Sequence, residues 1–360
     1  MKIGILTFHC AINYGAVLQA YALQEYLNSI GHNAYIIDYR PNYLLHPYRI
    51  FRWEEVPKSH KERIRWFVRE LMVIPIRLKR KIGFRKFVNT YLNLHQLDLC
   101  KSNNDFDAFV FGSDQIWNEQ LTNGYDRYFW GDFPAAKGKK LIAYAASMGD
   151  NLPDLGDSEI IKKRLEKFDL IGVREQALLD YLDFSNIKCL KVVDPVFLGG
   201  NNVFNELVIP AKQVVNCSYL LMFTLGRDEY VLPIAEHIAS LLGLQIIEVI
   251  SSNESIALKN KRQCLNPLDF LSYLRNASYV VTSSFHGTAF SILFEKDFTV
   301  VKPNNAKAHR IESLLEIANL TSRLVCNNAR NIDVTSIDYE SRRNNLNSIN
   351  RLSVDFWAKA

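Results

Sequence analysis

The first 39 residues, MKIGILTFHCAINYGAVLQAYALQEYLNSIGHNAYIIDY (1–39), contain a complete structural unit. The apolar run MKIGILTF (1–8) reads as a buried strand. After a polar loop, Ala16, Ala20, Leu23, Leu27 and Ile30 recur at spacings of three and four, the mark of an amphipathic helix, and Gly31 supplies a stop. AYIIDY (34–39) is the next strand. Strand, helix and strand in this order form a βαβ unit, which implies a parallel sheet with a right-handed crossover.

The alternation stops at about residue 43 and resumes at about 105. Strands are expected near FDAFVFG (106–112), KLIAYAAS (140–147), LIGVR (170–174) and KCLKVVDPV (188–196), with helices over about 157–168 and 175–183. GGNNVFNE (199–206), rich in Gly and Asn, breaks the pattern. A second series follows: YLLMFTLG (219–226), a helix ending near Leu242 and Gly243, LQIIEVI (244–250), a helix over 267–277, YVVTSSF (279–285), a helix over 286–296, and DFTVV (297–301). The expected fold is α/β, with two Rossmann-like doubly wound domains facing a cleft. Their bounds are 1–198, with a helical insertion at about 43–105, and 217–330, joined by a linker (199–216) and followed by a helical tail (331–360). Ligands of such folds bind outside the carboxyl ends of the strands, and here also between the domains.

The length of 360 residues suits two domains, and 48% hydrophobic against 22% charged residues excludes disordered and low-complexity classes. Cys10, Cys100, Cys189, Cys217, Cys264 and Cys326 never fall at metal-ligand or CxxC spacing, so reduced and mostly buried thiols are expected. The N-terminus lacks the apolar core of a signal peptide, and LMVIPI (71–76) is short and interrupted by Pro75. A cytoplasmic protein is the expectation, with a peripheral place on the inner face of the membrane open to it.

The net charge of +5 is uneven. Residues 49–86 hold 13 Lys and Arg against four Glu, a net +9 that leaves −4 for the rest of the chain. Aromatic and aliphatic residues, Trp53, Trp66, Phe67 and Leu71 among them, are interleaved with the cations, a composition suited to an anionic membrane surface. The plain alternative is a helical insertion with a solvated basic face. The total is too mild to argue for nucleic acid.

Chemistry concentrates at strand ends. In TSSFHGTAF (282–290) a strand closes on hydroxyl residues and a helix opens at His286 and Gly287. A helix N-terminus offers unpaired N–H groups to a phosphate or carboxylate; Ser283, Ser284 and Thr288 add hydroxyls, and a histidine there can hold or transfer a proton. The alternative is an N-cap beside a core histidine. The first loop has Asn13, Tyr14 and Gly15 at its turn but no GxGxxG, so a dinucleotide site is not expected. His9 there reads more readily as packing than as catalysis. In GSDQIWN (112–118), Asp114 and Gln115 emerge at the sheet edge, where they can meet sugar hydroxyls or cap the next element. Arg174 ends a strand at the same edge, ready for an anion or for pairing with Glu175 or Asp194. Lys302, His309 and Arg310 are further cations near the second domain's edge. No HExxH, Walker or GxSxG pattern is present, and no metal is expected.

Taken in order, NYGAVLQAYAL (13–23), GSDQIWN (112–118), GVRE with Arg174, DPVF (194–197) and SSFHGTAFSI (283–292) resemble the polysaccharide pyruvyl transferase family. The resemblance covers most of residues 1–325 and is weakest in the basic insertion. It implies a two-Rossmann arrangement similar to GT-B glycosyltransferases. It also implies transfer of the pyruvyl unit of phosphoenolpyruvate, as co-substrate and without a cofactor, to a hexose of a capsular, exopolysaccharide or wall glycan precursor, making a ketal. His286 falls on the family's HG motif and is then the general acid and a donor-binding residue, beside Arg174, Ser283, Ser284, Gly287 and Thr288. Relatives carry Arg two positions before that His where this chain has Ser284, so Lys302 and Arg310 become the candidate donor cations. The acceptor, a sugar or lipid-linked oligosaccharide, falls to Asn13, Tyr14 and Gln115, with Asp114 as base. Two other readings stay open: a nucleotide-sugar glycosyltransferase on the same scaffold, and a non-catalytic membrane-associated assembly protein.

Overall fold

A computed structural model describes residues 1–360 except 54–55, 103–104, 150–151, 153–157, 185, 206, 209–214, 216, 227–229, 251–260, 263–264, 303–307 and 330. Much of the expected linker (199–216), at 206, 209–214 and 216, therefore lies outside the described residues.

The first sheet consists of β1 (Lys2–Leu6), β2 (Asn33–Ile37), β3 (Leu94–His95), β4 (Ala108–Phe111), β5 (Lys140–Ala146), β6 (Leu170–Val173) and β7 (Leu190–Lys191), in the order β3-β2-β1-β4-β5-β6-β7. The second consists of β8 (Tyr219–Thr224), β9 (Gln245–Ile250), β10 (Lys261–Arg262), β11 (Tyr279–Thr282), β12 (Phe298–Val301) and β13 (Leu324–Val325), in the order β10-β9-β8-β11-β12-β13. The strand pairs of both sheets are parallel. Counted from its own first strand, the second sheet runs 3-2-1-4-5-6, the doubly wound Rossmann order, and the first runs the same way with a seventh strand added at the far edge. The near-continuous apolar runs read as strands are buried as such: all four residues of β4 and all six of β8 are buried. This is the α/β fold with two Rossmann-like units that the sequence predicts.

Three findings go beyond the expected elements. The run KCLKVVDPV gives only a two-residue strand, because Asp194 turns the chain into a 3-10 helix (Pro195–Phe197), its carboxylate accepting from Val196 N at 3.2 Å, and Pro195 has no N–H for a ladder. The insertion is one long helix, His60–Tyr91, preceded by the short helix Asn42–Leu45. Phe84, Phe87 and Val88 of the long helix join the core that holds Ile3 and Leu23. Two of the insertion's cations are buried: Arg77 is bidentate on Glu70 (2.5 and 3.0 Å), and Arg80 donates to Ile12 O at 3.1 Å. The helix in the C-terminal tail, Arg343–Trp357, packs on the first sheet. A Cβ at Gly172 would stand 2.7 Å from Phe356, and Tyr144 Oη donates to Ser353 Oγ at 2.7 Å.

The thiols depart from expectation. Cys10, Cys100, Cys189, Cys217 and Cys326 are free, but Cys100, Cys217 and Cys326 are exposed because they sit in loops outside the strand interiors; Cys264 lies outside the described residues. Among the described residues no helix is long and apolar enough to cross a membrane.

The two units share an apolar seam. Tyr14, at the start of helix Tyr14–Ser29, stacks on Phe270 (centroids 4.4 Å, 11° between planes), and its hydroxyl donates to Leu265 O at 3.0 Å. Such a stacked pair contributes about 1 kcal/mol beyond its burial.

Candidate active site at the junction of the two sheets

Each sheet reverses its strand order beside its first strand, between β1 and β4 and between β8 and β11. Open α/β sheets bind ligands at such switch points. The loops that leave β1, β4 and β11 carry Asn13, Asp114 and His286, and the fold turns the two switch points toward each other. The contact is tight: a Cβ on Gly15 would lie 2.0 Å from His286 Nδ1 and 2.2 Å from Cγ. Only glycine lets helix Tyr14–Ser29 and helix Phe285–Leu293 meet through this ring.

His286 is 9% exposed, and its Nε2 lies 3.6 Å from Asp194 Oδ2 without a hydrogen bond among the described residues. Asp194 is fully buried. Burial opposes its ionisation, but His286, Arg174 and the Val196 N–H outweigh it and hold the carboxyl low, at about 2. Arg174 ties the cluster together. Its Nη1 donates to Asp194 Oδ2 and to Ser113 Oγ (3.3 Å), its Nε donates to Glu175 Oε1 at 2.9 Å, and its Nη2 lies 3.8 Å from Asp114 Oδ1. Both partners foreseen for Arg174, Glu175 and Asp194, are therefore engaged at once. With three carboxylates around it, Arg174 has only Nη2 without a hydrogen bond among the described residues. That geometry suits a residue that holds Asp194 and Asp114 in place better than a bidentate clamp on a substrate anion.

Asp114 lines a cavity of about 210 Å³ together with Asn13 and Gln115, so three of the four residues expected to meet an acceptor do share one space. Asp114 sits at φ 75°, a left-handed conformation, and its Oδ1 accepts from Gln115 N at 2.9 Å. Gln115 Oε1 accepts from Asn118 Nδ2 at 2.8 Å, and Asn13 caps helix Tyr14–Ser29 through Oδ1 and Ala16 N. Tyr14 is the exception. Its side chain is turned into the seam and does not line the cavity, because stacking on Phe270 and the bond to Leu265 O consume both its face and its hydroxyl.

On the second unit, Ser284 is the N-cap of helix Phe285–Leu293: its Oγ accepts from Gly287 N at 3.4 Å, and its carbonyl accepts from both Thr288 N and Thr288 Oγ1. The capping alternative thus holds for Ser284, while Thr288 stands in the first turn of the helix with its hydroxyl turned back to the Ser284 carbonyl. The Gly287 N–H is taken by Ser284 Oγ, and the missing side chain has a packing reason. A Cβ there would meet Thr282 Oγ1 at 2.3 Å and Phe223 at 2.9 Å, so the glycine serves helix-to-strand packing. Ser283 is buried at the strand end. The N–H groups of Phe285 and His286 make no hydrogen bond with described residues and remain for a ligand. The cations divide. Lys302 is turned to Glu312 (2.6 Å), with His309 beside the same carboxylate, whereas the Arg310 guanidinium lies 6.0 Å from the Phe285 ring, on which Arg174 also lies at 4.8 Å. His9 is a packing residue: Nε2 meets Asp38 Oδ1 at 2.9 Å and Nδ1 meets Thr7 O at 3.2 Å.

Sequence reasoning missed Asp194 as the partner of His286, Phe285 as the ring on which two guanidinium groups converge, and Gly15 as the seat of the imidazole. DPVF and NYG were visible motifs, but no local pattern shows which distant loop they meet.

The family model for polysaccharide pyruvyl transferases matches residues 13–305, a span containing Asn13, Asp114, Arg174, Asp194 and His286. No curated protein matches the chain. Among solved structures it is similar to UDP-GlcNAc 2-epimerase from Methanocaldococcus jannaschii (10% identity, 97% of this chain and 93% of that chain, TM-score 0.45). It is also similar to UDP-N-acetylglucosamine 2-epimerase from Rickettsia bellii (10%, 99% and 96%, TM-score 0.42) and to the Streptomyces sp. SF2575 glycosyltransferase SsfS6 complexed with thymidine diphosphate (13%, 99% and 96%, TM-score 0.44). With most of its length matched by that family model, the chain belongs to the polysaccharide pyruvyl transferase family.

Proposed function

We propose that the enzyme transfers the pyruvyl group of phosphoenolpyruvate to a hexose of a capsular, exopolysaccharide or wall glycan precursor and closes it as a ketal. The observation that carries the reading is His286 Nε2, without a hydrogen bond among the described residues and 3.6 Å from the ionised Asp194, at the meeting point of the two switch points. Nε2 gives a proton to carbon 3 of the donor. Carbon 2 becomes oxocarbenium-like and takes the oxygen of one sugar hydroxyl, whose proton leaves to Asp114 in the neighbouring cavity. The bond from carbon 2 to the phosphate oxygen then breaks and phosphate departs with the electron pair. A second hydroxyl adds to carbon 2 and loses its proton, so the products are one ketal and one hydrogen phosphate. Arg310 and the N–H groups of Phe285 and His286 hold the donor's anionic groups, the part that Ser284 cannot play. Asp194 and Arg174 position His286 and Asp114.

The insertion helix supports a membrane-adjacent site of action. At about 100° per residue, Ile64, Phe67, Val68, Leu71, Met72 and Ile82 fall within a sector of about 140°, opposite the buried face of the helix. All six are exposed. Arg65 lies just outside the stripe on one side and Arg63 and Lys81 on the other, and Lys61, Lys79 and Lys86 fall within its width, so cations and apolar side chains share the exposed face that would seat the helix on anionic lipid. In this reading the enzyme works on the cytoplasmic face of the membrane, where a lipid-linked acceptor is presented.

The test is acceptor-dependent release of phosphate from phosphoenolpyruvate by wild type and His286→Ala. The reading requires release by the first and its loss in the second by about 100- to 10,000-fold. Release of nucleotide from a sugar nucleotide instead contradicts it.

A further inference from the structure

A second cavity, of about 530 Å³, lies beside the one that contains Asp114 and shares Ala11 and Tyr48 with it as walls. Its floor is the loop His9–Ile12, one side is the segment from Arg40 to Arg49, and the other is helix His60–Tyr91. Lys81, Arg85 and Asn89 stand one above another along that helix at intervals of four residues, and all three line the space. Lys81 and Arg85 form no ion pair among the described residues, Arg40 and Arg49 add two more cations, and no carboxylate is among the lining residues. Asp38, the nearest acid in sequence, is spent on His9 and Arg40. The site described above uses none of the four cations.

We infer that this cavity binds a phosphate-bearing carrier of the acceptor sugar, with Lys81 and Arg85 as its principal ligands. The inference rests on the proposed pyruvyl transfer in one respect: it takes the adjoining 210 Å³ cavity to be where the acceptor sugar lies. A diphosphate is a compact dianion or trianion, which two unpaired cations one helical turn apart can bridge. The carrier is a lipid diphosphate. Ile82, 64% exposed, projects from the same turn of the helix that supplies Lys81 and Arg85, and it continues the exposed apolar stripe, so a headgroup in the cavity has its tail beside an apolar surface.

The experiment titrates the full-length protein with geranyl diphosphate, inorganic pyrophosphate and UDP by calorimetry, in the absence of phosphoenolpyruvate. Wild type is expected to bind geranyl diphosphate saturably, with pyrophosphate weaker and UDP weaker still. The double variant K81E/R85E is expected to lose at least tenfold in affinity, and K163E, an exposed lysine outside the cavity, none. Both cavity residues are exposed, and an unchanged thermal midpoint of K81E/R85E shows that the fold is kept. Absence of saturable binding to wild type, or equal binding by wild type and K81E/R85E, overturns the site. Binding of UDP as tight as that of geranyl diphosphate overturns the lipid as its source. Because the titration contains no donor, a failure of pyruvyl transfer leaves this result intact, and a failure here leaves phosphate release from phosphoenolpyruvate untouched.

Discussion

The imidazole of His286 rests on the α-carbon of Gly15: the place a Cβ would occupy is 2.0 Å from Nδ1. Two motifs more than 270 residues apart in sequence are therefore one contact, and the glycine of the first loop fixes where the ring of the second unit stands. An alanine at position 15 must displace the ring from its present place beside Asp194. Gly15→Ala is expected to lower turnover by about 100-fold, the effect of displacing a reacting group by about 1 Å. It should also lower stability by about 1–3 kcal/mol through overpacking. The check is internal to the pair: removing the ring in Gly15→Ala/His286→Ala restores the thermal midpoint but not turnover. A midpoint unmoved by Gly15→Ala shows that the contact is not tight.

Asp194 ties stability to acid pH. Its folded carboxyl titrates at about 2, below the ordinary 3.8, so the stability it contributes is complete above about pH 4 and is lost as pH falls through 2. Urea unfolding between pH 5 and 2 should show this loss in wild type. Asp194→Asn should be less stable by about 3 kcal/mol at pH 7, because Arg174 loses a buried partner, and its stability should fall less steeply below pH 4. Parallel slopes for the two proteins would refute the assignment.

Ser284 is the N-cap of helix Phe285–Leu293. Ser284→Ala is expected to lose about 1 kcal/mol. Gly287→Ala is expected to lose about 1–3 kcal/mol, because Thr282 Oγ1 occupies the space its methyl needs. Denaturant midpoints measure both, and an unchanged midpoint in either variant removes the corresponding role.

The exposed stripe gives a prediction that needs no substrate. Leu71→Asp/Met72→Asp changes two exposed side chains and should leave the thermal midpoint within about 1 °C while abolishing flotation with vesicles rich in phosphatidylglycerol. Wild type should float, and less so at high salt. Wild type that stays in the soluble fraction at low salt contradicts the docking surface.

Most of the fold was legible because its strands are buried on both faces and its helices keep an apolar repeat, although helix Tyr14–Ser29, which reads as amphipathic, is buried on nearly every side between the two units. MKIGILTF, YLLMFTLG and the 3.6-residue periodicity between them carry that burial in plain view. The strands that escaped, β3, β10 and β13, have two residues each, too few for any period. The insertion was legible in its charge but not in its packing. Nothing local distinguishes Arg80, buried against Ile12, from Lys81 beside it, which lines a cavity. The candidate site was legible segment by segment: Asn13, Asp114, Gln115 and His286 each follow the carboxyl end of a strand. Their grouping was not, since it depends on how two sheets face each other. Tyr14 shows the difference, a residue in the right loop whose side chain the seam takes for itself.

The central claim is tested most directly by incubating the protein with phosphoenolpyruvate and a lipid-diphosphate-linked oligosaccharide and following phosphate and product mass together. The account predicts one phosphate released per acceptor modified, a product heavier by one pyruvate less one water, and neither result with His286→Ala. Phosphoenolpyruvate left intact while a sugar nucleotide is consumed on the same acceptor would contradict it.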